Sequence, residues 1–459
     1  MSLYEGTHGV VIVHGIGDQR KGDTVAEFSK ALCDTLVNPA NGNEPPTVQL
    51  TSDVSGSPPS VTLEITSPDG KHATWICQEA FWNDAFPPPN ATQVLGFGLR
   101  QNLGRQIASL LGMFRDPGNE ELPTVAERNK EQAKTKQGER TTVAVDPGKK
   151  AGVRVKASLI STLAFIPLVV LTYVLLGLIW LLHFVPSIGP LDKIITWVRK
   201  LDPFITSSLG DIQRYVDHEV WSANARARVE KVVIDMMKEE GMKDITIVAH
   251  SMGTVVAYDA LTEGGSIAQE IAKSGAKDRK KITFVSVGGA INRVFAMIPP
   301  PGTGKKRKYN EAQITKPLAK EITGAASGES PAKLQDQFYW LDIYARRDPV
   351  PAGPVDKEIV DRAKIDPEIQ MKEREVINKD SPFFDHVAYW GNQELVMPRI
   401  VRAINRGTEY PWPGSEITKE MVSRRVRTAA VYSSLGEIIL ALIPIGLIVW
   451  LVLKLTKVI

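Results

Sequence analysis

Ser251 stands where two sequence patterns meet, in the stretch ITIVAHSMGTVVAYDAL that runs from residue 245 to residue 261. The apolar run before the serine predicts a buried strand, and the residues after it predict a helix. A serine hydroxyl is a poor nucleophile unless a base takes its proton and backbone N–H groups stabilise the oxyanion. A tight turn from strand to helix lifts the side chain off the sheet and directs a helix N-terminus at the developing negative charge. The stretch therefore predicts a nucleophilic serine.

The residues two positions before and after this serine must be small, because the predicted turn is crowded there. They are Ala249 and Gly253. The usual motif has glycine at both positions, so Ala249 departs from it, although an alanine still fits sterically. A short pattern of this kind is weak evidence by itself, and its place between a strand and a helix strengthens it.

Three further motifs carry residue types that could assist the serine. The stretch VIVHGIG follows an early strand, YWLDIYARRDPVPAGP is a strand followed by a loop with Asp348, and SPFFDHVAYWGN carries His386. Together with AHSMG, these motifs resemble the lipase and esterase branch of the α/β-hydrolase superfamily. VHGIG paired with AHSMG is similar to small Bacillus-type lipases, and DPVPAG followed by HVAYW resembles bacterial uncharacterised hydrolases. The resemblance covers about residues 9–37 and 205–400.

The resemblance implies a role for each motif residue. Ser251, Asp348 and His386 occur in the chain order of these hydrolases, and they would act as nucleophile, acid and base. The backbone N–H groups of Ile16 and Met252 would form the oxyanion hole. No cofactor or metal is implied. Five residues would line the site: His14, Gly15, Gly17, His250 and Gly253.

Several alternatives stay open at this point. Asp342 is the main rival for the acid and Asp385 a weaker one, with Asp348 favoured because a loop can direct a carboxylate. His14 and His250 are expected to stabilise loops and not to react. His218 is expected to be structural, although Asp211 and Tyr215 beside it could line the site. The paired glycines in VSVGGAINR (285–293) predict a close-packed turn, in preference to a phosphate cradle.

The fold class expected from these patterns is α/β, an α/β-hydrolase fold with membrane-embedded helices added. Strands alternate with helices, which argues for an open, mostly parallel sheet covered by helices on both faces. A helix with Gly241 as its stop signal is expected just before the serine strand. Strands are predicted at 9–13, 47–53, 61–66, 73–80, 245–249, 282–287 and 338–344, and helices at 24–36, 226–241 and 253–262.

Composition divides the chain into five predicted parts. Residues 115–157 are charged and poor in large apolar groups, which predicts an exposed linker or insertion. The parts are the first half of the hydrolase core (1–114), this insertion (115–157), an apolar membrane-inserted or interfacial segment (158–201), the second half of the core (202–415), and a C-terminal basic stretch with a transmembrane helix (416–459).

Bulk numbers exclude some classes of function. A formal net charge of +3 over 459 residues implies no nucleic-acid partner. The two cysteines, Cys33 and Cys77, are too few for a disulfide framework, so reduced thiols in or near the core are expected. The N-terminus lacks a basic region followed by an apolar one, so a secretory signal is not apparent.

Two apolar runs predict attachment to a membrane. Residues 158–185 contain no Asp, Glu, Lys or Arg, and Glu437 is the single charged residue in 435–453. Each run is long enough for a membrane helix. The strands at 10–13 and 245–249 must share a sheet, so the first run is expected to enter and return, or to lie in the interface as a cap. The basic residues of SRRVR (423–427) favour a catalytic domain on the cytoplasmic face.

The sequence thus predicts a membrane-associated serine hydrolase that cleaves carboxylic esters through an acyl-serine intermediate. Lipid esters, acylglycerols or phospholipids, are the expected substrates, and membrane lipid is the expected partner. Acyl transfer or thioester cleavage on the same residues, a lipase toxin, and a non-catalytic scaffold with the hydrolase fold remain alternatives. The sequence leaves the acyl-chain and head-group preference and the oligomeric state open.

Overall fold

The computed structural model describes residues 3–86, 211–297 and 316–405, apart from positions 18, 39–43, 213, 217, 275–279, 325–333, 335, 346, 349, 352 and 380–383. Within these residues one sheet of eight strands forms the centre of the fold. The strands are Gly6–Val13 (β1), Thr47–Asp53 (β2), Ser60–Thr66 (β3), His72–Glu79 (β4), Met242–His250 (β5), Lys281–Val287 (β6), Phe338–Ala345 (β7) and Met371–Val376 (β8).

Helices cover both faces of this sheet. Helices α1 and α8 pack on one face, and the helices from α2 to α7 contribute to the core on the other. A short 3₁₀ turn, Asn83–Ala85, follows β4. The helices are Asp23–Val37 (α1), Glu219–Lys238 (α2), Gly253–Ala260 (α3), Ser266–Ser274 (α4), Ile291–Met297 (α5), Lys320–Thr323 (α6), Lys357–Ala363 (α7) and Met397–Ile404 (α8).

The strand order is β2-β3-β4-β1-β5-β6-β7-β8. All pairs from β4 to β8 are parallel, and only β3 runs against its neighbours. The prediction of a mostly parallel sheet with helices on both faces is confirmed.

Burial on both faces explains the apolar runs that marked the central strands. In β1, Val10 and Ile12 pack with α1 and α8, whereas Val11 and Val13 pack with α2 and α3. A strand buried on both sides cannot alternate between apolar and polar residues, so it reads as a continuous apolar run.

The topology opens a crevice between β1 and β5, which are adjacent and parallel. From β1 the chain crosses through α1 to the β2 edge, and from β5 it crosses through α3 toward β6 on the other side. The loops that leave the two strands therefore diverge at their carboxyl ends. In open α/β sheets such a switch point is where ligands bind. Both VHGIG and AHSMG lie there.

Several element boundaries differ from the predicted ones. Helix α2 begins at Glu219, seven residues before the predicted start, and it ends at Lys238. Gly241 has a φ of 76° and lies in the turn that leads into β5, which agrees with its role as a stop signal. The helices α4 to α8 and the strand β8 were not predicted. Both cysteines are free thiols, with Cys77 buried and Cys33 half-buried.

The membrane segments predicted at 158–185 and 435–453, and the charged insertion at 115–157, lie outside the described residues. In the part of the chain that is described, no helix combines the length and the apolar character needed to span a bilayer.

Candidate active site

Ser251 lies in the turn between β5 and α3 and has a φ of 55°, which is unusual for a residue other than glycine. Its backbone N–H donates to the carbonyl of Val287 at 3.1 Å. Its own carbonyl accepts from the hydroxyl of Thr254 at 2.6 Å and from the N–H of Ala290 at 3.1 Å. These bonds tie the turn to the end of β6. They hold a strained backbone conformation that the surroundings must impose.

Two glycines make room for this turn. A Cβ on Gly253 would lie 2.3 Å from the carbonyl oxygen of His14, so α3 can start against β1 only with glycine there. A Cβ on Gly15 would lie 2.7 Å from the Cβ of Ser251, so the loop after β1 passes directly over the serine. Ala249 is fully buried at the end of β5, where its methyl group is accommodated as expected.

The side chains of Ser251, His386 and Asp348 form a hydrogen-bonded series. The Nε2 atom of His386 lies 2.9 Å from the Oγ of Ser251, and its Nδ1 lies 2.9 Å from the Oδ2 of Asp348. A carboxylate accepts, so Nδ1 is assigned the proton and Nε2 then presents a lone pair to the serine hydroxyl. Three loops that are far apart in sequence bring these groups together. In this arrangement the imidazole can take a proton from the serine.

The carboxylate of Asp348 is fully buried and surrounded by donors. Besides His386, its Oδ2 accepts from the hydroxyl of Tyr389 at 2.8 Å, and its Oδ1 accepts from the N–H of Val350 at 2.9 Å. Gly288 has a φ of 55°, and a Cβ there would lie 2.6 Å from the Tyr389 ring and 3.0 Å from Oδ2. The paired glycines that follow β6, Gly288 and Gly289, form a close-packed turn, as the sequence predicts. This turn lies against the carboxylate of Asp348.

Tyr389 and Thr254 are the functional candidates that sequence reasoning missed. Tyr389 is the third residue after His386, and its hydroxyl also accepts from the N–H of Ala345 at 2.9 Å. In the sequence it looks like an ordinary buried aromatic. Its position within HVAYW was the one available signal, since a residue so close to a candidate base can reach the partner of that base.

The loop after β1 is held by His14. Its Nδ1 lies 2.7 Å from the carbonyl of Gly15, and its Nε2 lies 3.2 Å from the backbone N–H of Trp82, whose ring stacks on the imidazole at 5.1 Å. The contacts require a neutral ring with the proton on Nδ1. Burial, the largest cause, lowers the pKa of His14 to about 4. His14 thus links the loop after β1 to the backbone after β4.

The residues proposed for the oxyanion hole border the same turn. Met252 is buried directly after Ser251 at the N-cap position of α3, and half-buried Ile16 follows Gly15 and packs against the core. Gly17 has a φ of 137°, a conformation that glycine adopts most readily. Since helix N-termini attract negative charge, the start of α3 suits an anion near Ser251.

His250 contacts the base itself. Its ring stacks on that of His386 with 4.7 Å between the centroids, and its Nε2 lies 3.0 Å from the His386 carbonyl oxygen. A carbonyl only accepts, so this nitrogen donates. Burial, and then repulsion from His386, lower the pKa of His250 to about 3, so it stays neutral beside the base.

The rival acids and the other candidate histidine make contacts of their own. Asp342 accepts from the hydroxyl of Ser286 at 2.6 Å, and burial raises its pKa to about 7. Asp385 accepts from the N–H of Lys379 at 2.7 Å and stabilises the base loop. His218 is exposed and contacts the ring of Trp221 at the start of α2, with the two rings tilted by 50°.

The two residues suggested beside His218 have partners of their own. Tyr215 donates to Asp259, and Asp211 lies 3.7 Å from Arg214 in a buried pair. Across the described residues, no group of three or more histidine, cysteine, aspartate or glutamate side chains is arranged to hold a metal ion.

Comparison with known proteins gives one match. Residues 206–288 match the profile of a family described as an alpha/beta hydrolase of unknown function, DUF900. This part contains β5, the Ser251 turn and β6, and it excludes the loop after β1, Asp348 and His386. No curated protein and no solved structure matches the chain. Together with the mostly parallel sheet, the match describes an α/β-hydrolase-like fold and suggests a hydrolase.

Proposed function

We propose that this protein is a membrane-associated serine hydrolase that cleaves carboxylic esters, with lipid esters as its substrates. The observation that carries the proposal is the unbroken series of hydrogen bonds from the Ser251 hydroxyl through His386 to Asp348. The turn at Ser251, its positive φ and its place before a helix N-terminus support the same chemistry.

The reaction follows from the directions of these bonds. The Oγ of Ser251 attacks the ester carbonyl carbon while its proton passes to Nε2 of His386. As the tetrahedral intermediate forms, its oxyanion accepts hydrogen bonds from the N–H groups of Ile16 and Met252. When it collapses, the alcohol leaves with the proton from Nε2, and an acyl-serine remains. Water then attacks the acyl carbon while His386 takes its proton, and the imidazolium gives that proton to the Oγ of Ser251 as the acid leaves.

An apolar surface beside the base supports an apolar acyl group. Phe384 and Val387 flank His386, and they are 48% and 73% exposed. The His386 side chain is itself 21% exposed, so a substrate can reach it from outside. Exposed apolar side chains grouped beside a reactive residue can bind an apolar ligand. A long acyl chain laid along Phe384 and Val387 would cover them.

The membrane part of the proposal rests on the apolar runs at 158–185 and 435–453. Since β1 and β5 are neighbours in one sheet, residues 86 and 211 lie on the same side of any bilayer. The run at 158–185 is then proposed to enter and return, or to lie in the interface as a cap. A C-terminal crossing preceded by SRRVR (423–427) leaves the catalytic domain on the cytoplasmic face. A protease-protection map that put residues 100 and 220 on opposite sides would refute this topology.

Labelling with a fluorophosphonate probe tests the chemistry without knowledge of the substrate, because the probe phosphonylates an activated serine. The unaltered protein should be labelled and Ser251→Ala should not. Ser222→Ala is a matched control, since the hydroxyl of this buried serine donates to the Glu219 carbonyl of its own helix, 2.9 Å away. Labelling that survives in Ser251→Ala, or its absence in the folded unaltered protein, would contradict the proposal and favour a scaffold.

A panel of esters tests the substrate class. Acylglycerols and phospholipids in vesicles should be cleaved faster than short, soluble esters of the same alcohol. Phe384→Ser and Val387→Ser should reduce the rate on the lipid esters and leave the rate on a short acetyl ester unchanged. Equal loss on both substrates, or preference for the short ester, would contradict a lipid substrate and leave a soluble esterase.

A further inference from the structure

Tyr389 is buried and contacts the proposed catalytic residue Asp348. The mechanism above gives it no role. It lies on the same loop as His386, and only 1% of it is exposed. Its hydroxyl makes two hydrogen bonds, to Oδ2 of Asp348 at 2.8 Å and to the N–H of Ala345 at 2.9 Å. The tyrosine thus connects the end of β7 with the acid.

The direction of the two bonds is fixed by their partners. The N–H of Ala345 can only donate, so the tyrosine oxygen accepts from it. The tyrosine proton then points at Asp348. Burial and the nearby Asp348 raise the pKa of Tyr389 well above its usual value, so the hydroxyl keeps this proton. It is a permanent donor to the carboxylate.

The same carboxylate oxygen serves both Tyr389 and His386. Oδ2 lies 2.8 Å from the tyrosine hydroxyl and 2.9 Å from Nδ1 of His386. A second donor withdraws electron density from that oxygen, so it stabilises a positive charge on the imidazole less strongly than a free carboxylate oxygen does. It also directs Oδ2 toward Nδ1, while the N–H of Val350 holds Oδ1.

We propose that Tyr389 is a positioning residue that orients Asp348 and, by sharing its Oδ2 atom with His386, lowers the pH at which Ser251 becomes reactive. This inference rests on the proposed function of Ser251 and His386. It predicts two separable effects of removing the hydroxyl: a slower reaction because Asp348 is less well oriented, and a reaction that requires higher pH because Oδ2, with one donor fewer, stabilises a positive charge on the imidazole more strongly.

The other ionisable groups near the pair are the same with or without this hydroxyl. His250, at the end of β5, and His14, in the loop after β1, are both kept neutral by burial, which lowers their pKa values to about 3 and about 4. Asp385 lies on the base loop, and Arg293 of α5 interacts electrostatically with Asp348. A shift between the unaltered protein and a variant that lacks only the hydroxyl therefore reports on Tyr389.

The test is the rate constant of fluorophosphonate labelling as a function of pH, for the unaltered protein and for Tyr389→Phe. We expect the midpoint of the acid side of the profile to rise by about 0.5 to 1 pH unit in the variant. The plateau rate should fall about tenfold, as for the loss of one hydrogen bond to a charged group. Tyr258→Phe is the matched control, because it removes a buried tyrosine hydroxyl whose bond, 3.4 Å to the Lys316 carbonyl, lies away from Asp348.

The outcomes separate the inference from the proposed function. A lower plateau with an unchanged or lowered midpoint in Tyr389→Phe overturns the inference, because a merely structural role would produce that result. An unaltered protein that is folded and unlabelled at every pH overturns the proposed function and the inference with it. If Tyr389→Phe does not fold, a fluorinated tyrosine inserted at position 389 provides the second measurement: its more acidic hydroxyl donates more strongly to Asp348, so the midpoint should fall, and an unchanged or raised midpoint would overturn the inference.

Discussion

Gly15→Ala tests how closely the loop after β1 must approach the nucleophile. The new Cβ would lie 2.7 Å from the Cβ of Ser251 and 3.3 Å from its Oγ. Two carbon atoms in normal contact are about 3.5 to 4.0 Å apart, so roughly 1 Å of separation has to be recovered. Ser251 is held by bonds to Val287, Thr254 and Ala290, so the loop should move and the serine should not.

That movement should damage catalysis more than stability. The residue after Gly15 is Ile16, which is proposed to donate to the oxyanion, so its N–H shifts with the loop. A misplacement of about 1 Å costs roughly 100-fold in rate, whereas overpacking costs about 1 to 3 kcal/mol of unfolding free energy. We therefore expect a protein that is folded at room temperature and is labelled by a fluorophosphonate about 100 times more slowly.

The assay combines labelling kinetics with denaturant unfolding of the same samples. Gly70→Ala is the stability control: Gly70 has a φ of 82° and no atom within 4 Å of an added Cβ, so the variant is strained without any contact with the site. It should lose about 1 to 2 kcal/mol and be labelled at the unaltered rate. Labelling of Gly15→Ala at the unaltered rate would refute the close approach of this loop to Ser251.

Three further predictions follow from the buried polar groups. Asp348→Asn should slow labelling about 10³- to 10⁴-fold, because Val350 and Tyr389 both donate to this carboxylate and an amide has only one accepting oxygen; a loss under tenfold in labelling kinetics would point to another acid. Asp342→Asn should change the labelling rate little. Its unfolding free energy should increase relative to that of the unaltered protein as pH rises. The reason is that folding raises the pKa of Asp342 from 3.8 to about 7, so the unaltered protein loses stability between these values; urea unfolding at pH 4, 5.5 and 7 measures the gain, and parallel pH dependences would contradict it. His8→Ala should lose about 2 to 4 kcal/mol, because it removes a buried imidazole together with its hydrogen bonds to Asp244 at 2.7 Å and to the Tyr4 carbonyl at 2.8 Å; denaturant unfolding that shows a loss below about 1 kcal/mol would contradict the importance of these contacts.

The sheet centre was predictable because its strands are buried on both faces. The runs at 10–13, 245–249 and 282–287, within β1, β5 and β6, are mostly apolar, and few alternatives to a buried strand suit such short segments. The helices α4 to α8 were not predicted. Several of them are short, and short helices depend on the core they pack against more than on their own sequence.

The candidate site was predictable in its reacting groups and not in its supporting ones. Ser251, Asp348 and His386 belong to motifs with a recognisable order, and each follows a strand or lies in a loop. Tyr389 and Thr254 act through hydroxyl groups whose partners are set by the packing of β6 and β7, which no local pattern encodes. The role of Ala249 could be judged from steric size alone, since the position requires only a small residue.

The most direct test of the central claim is to locate the probe on the protein. After fluorophosphonate labelling and digestion, mass spectrometry should find one modified peptide, with the adduct on Ser251. The adduct should disappear in His386→Ala while that protein stays folded. An adduct on any other residue, or full labelling of Ser251 without the imidazole of His386, would contradict the account.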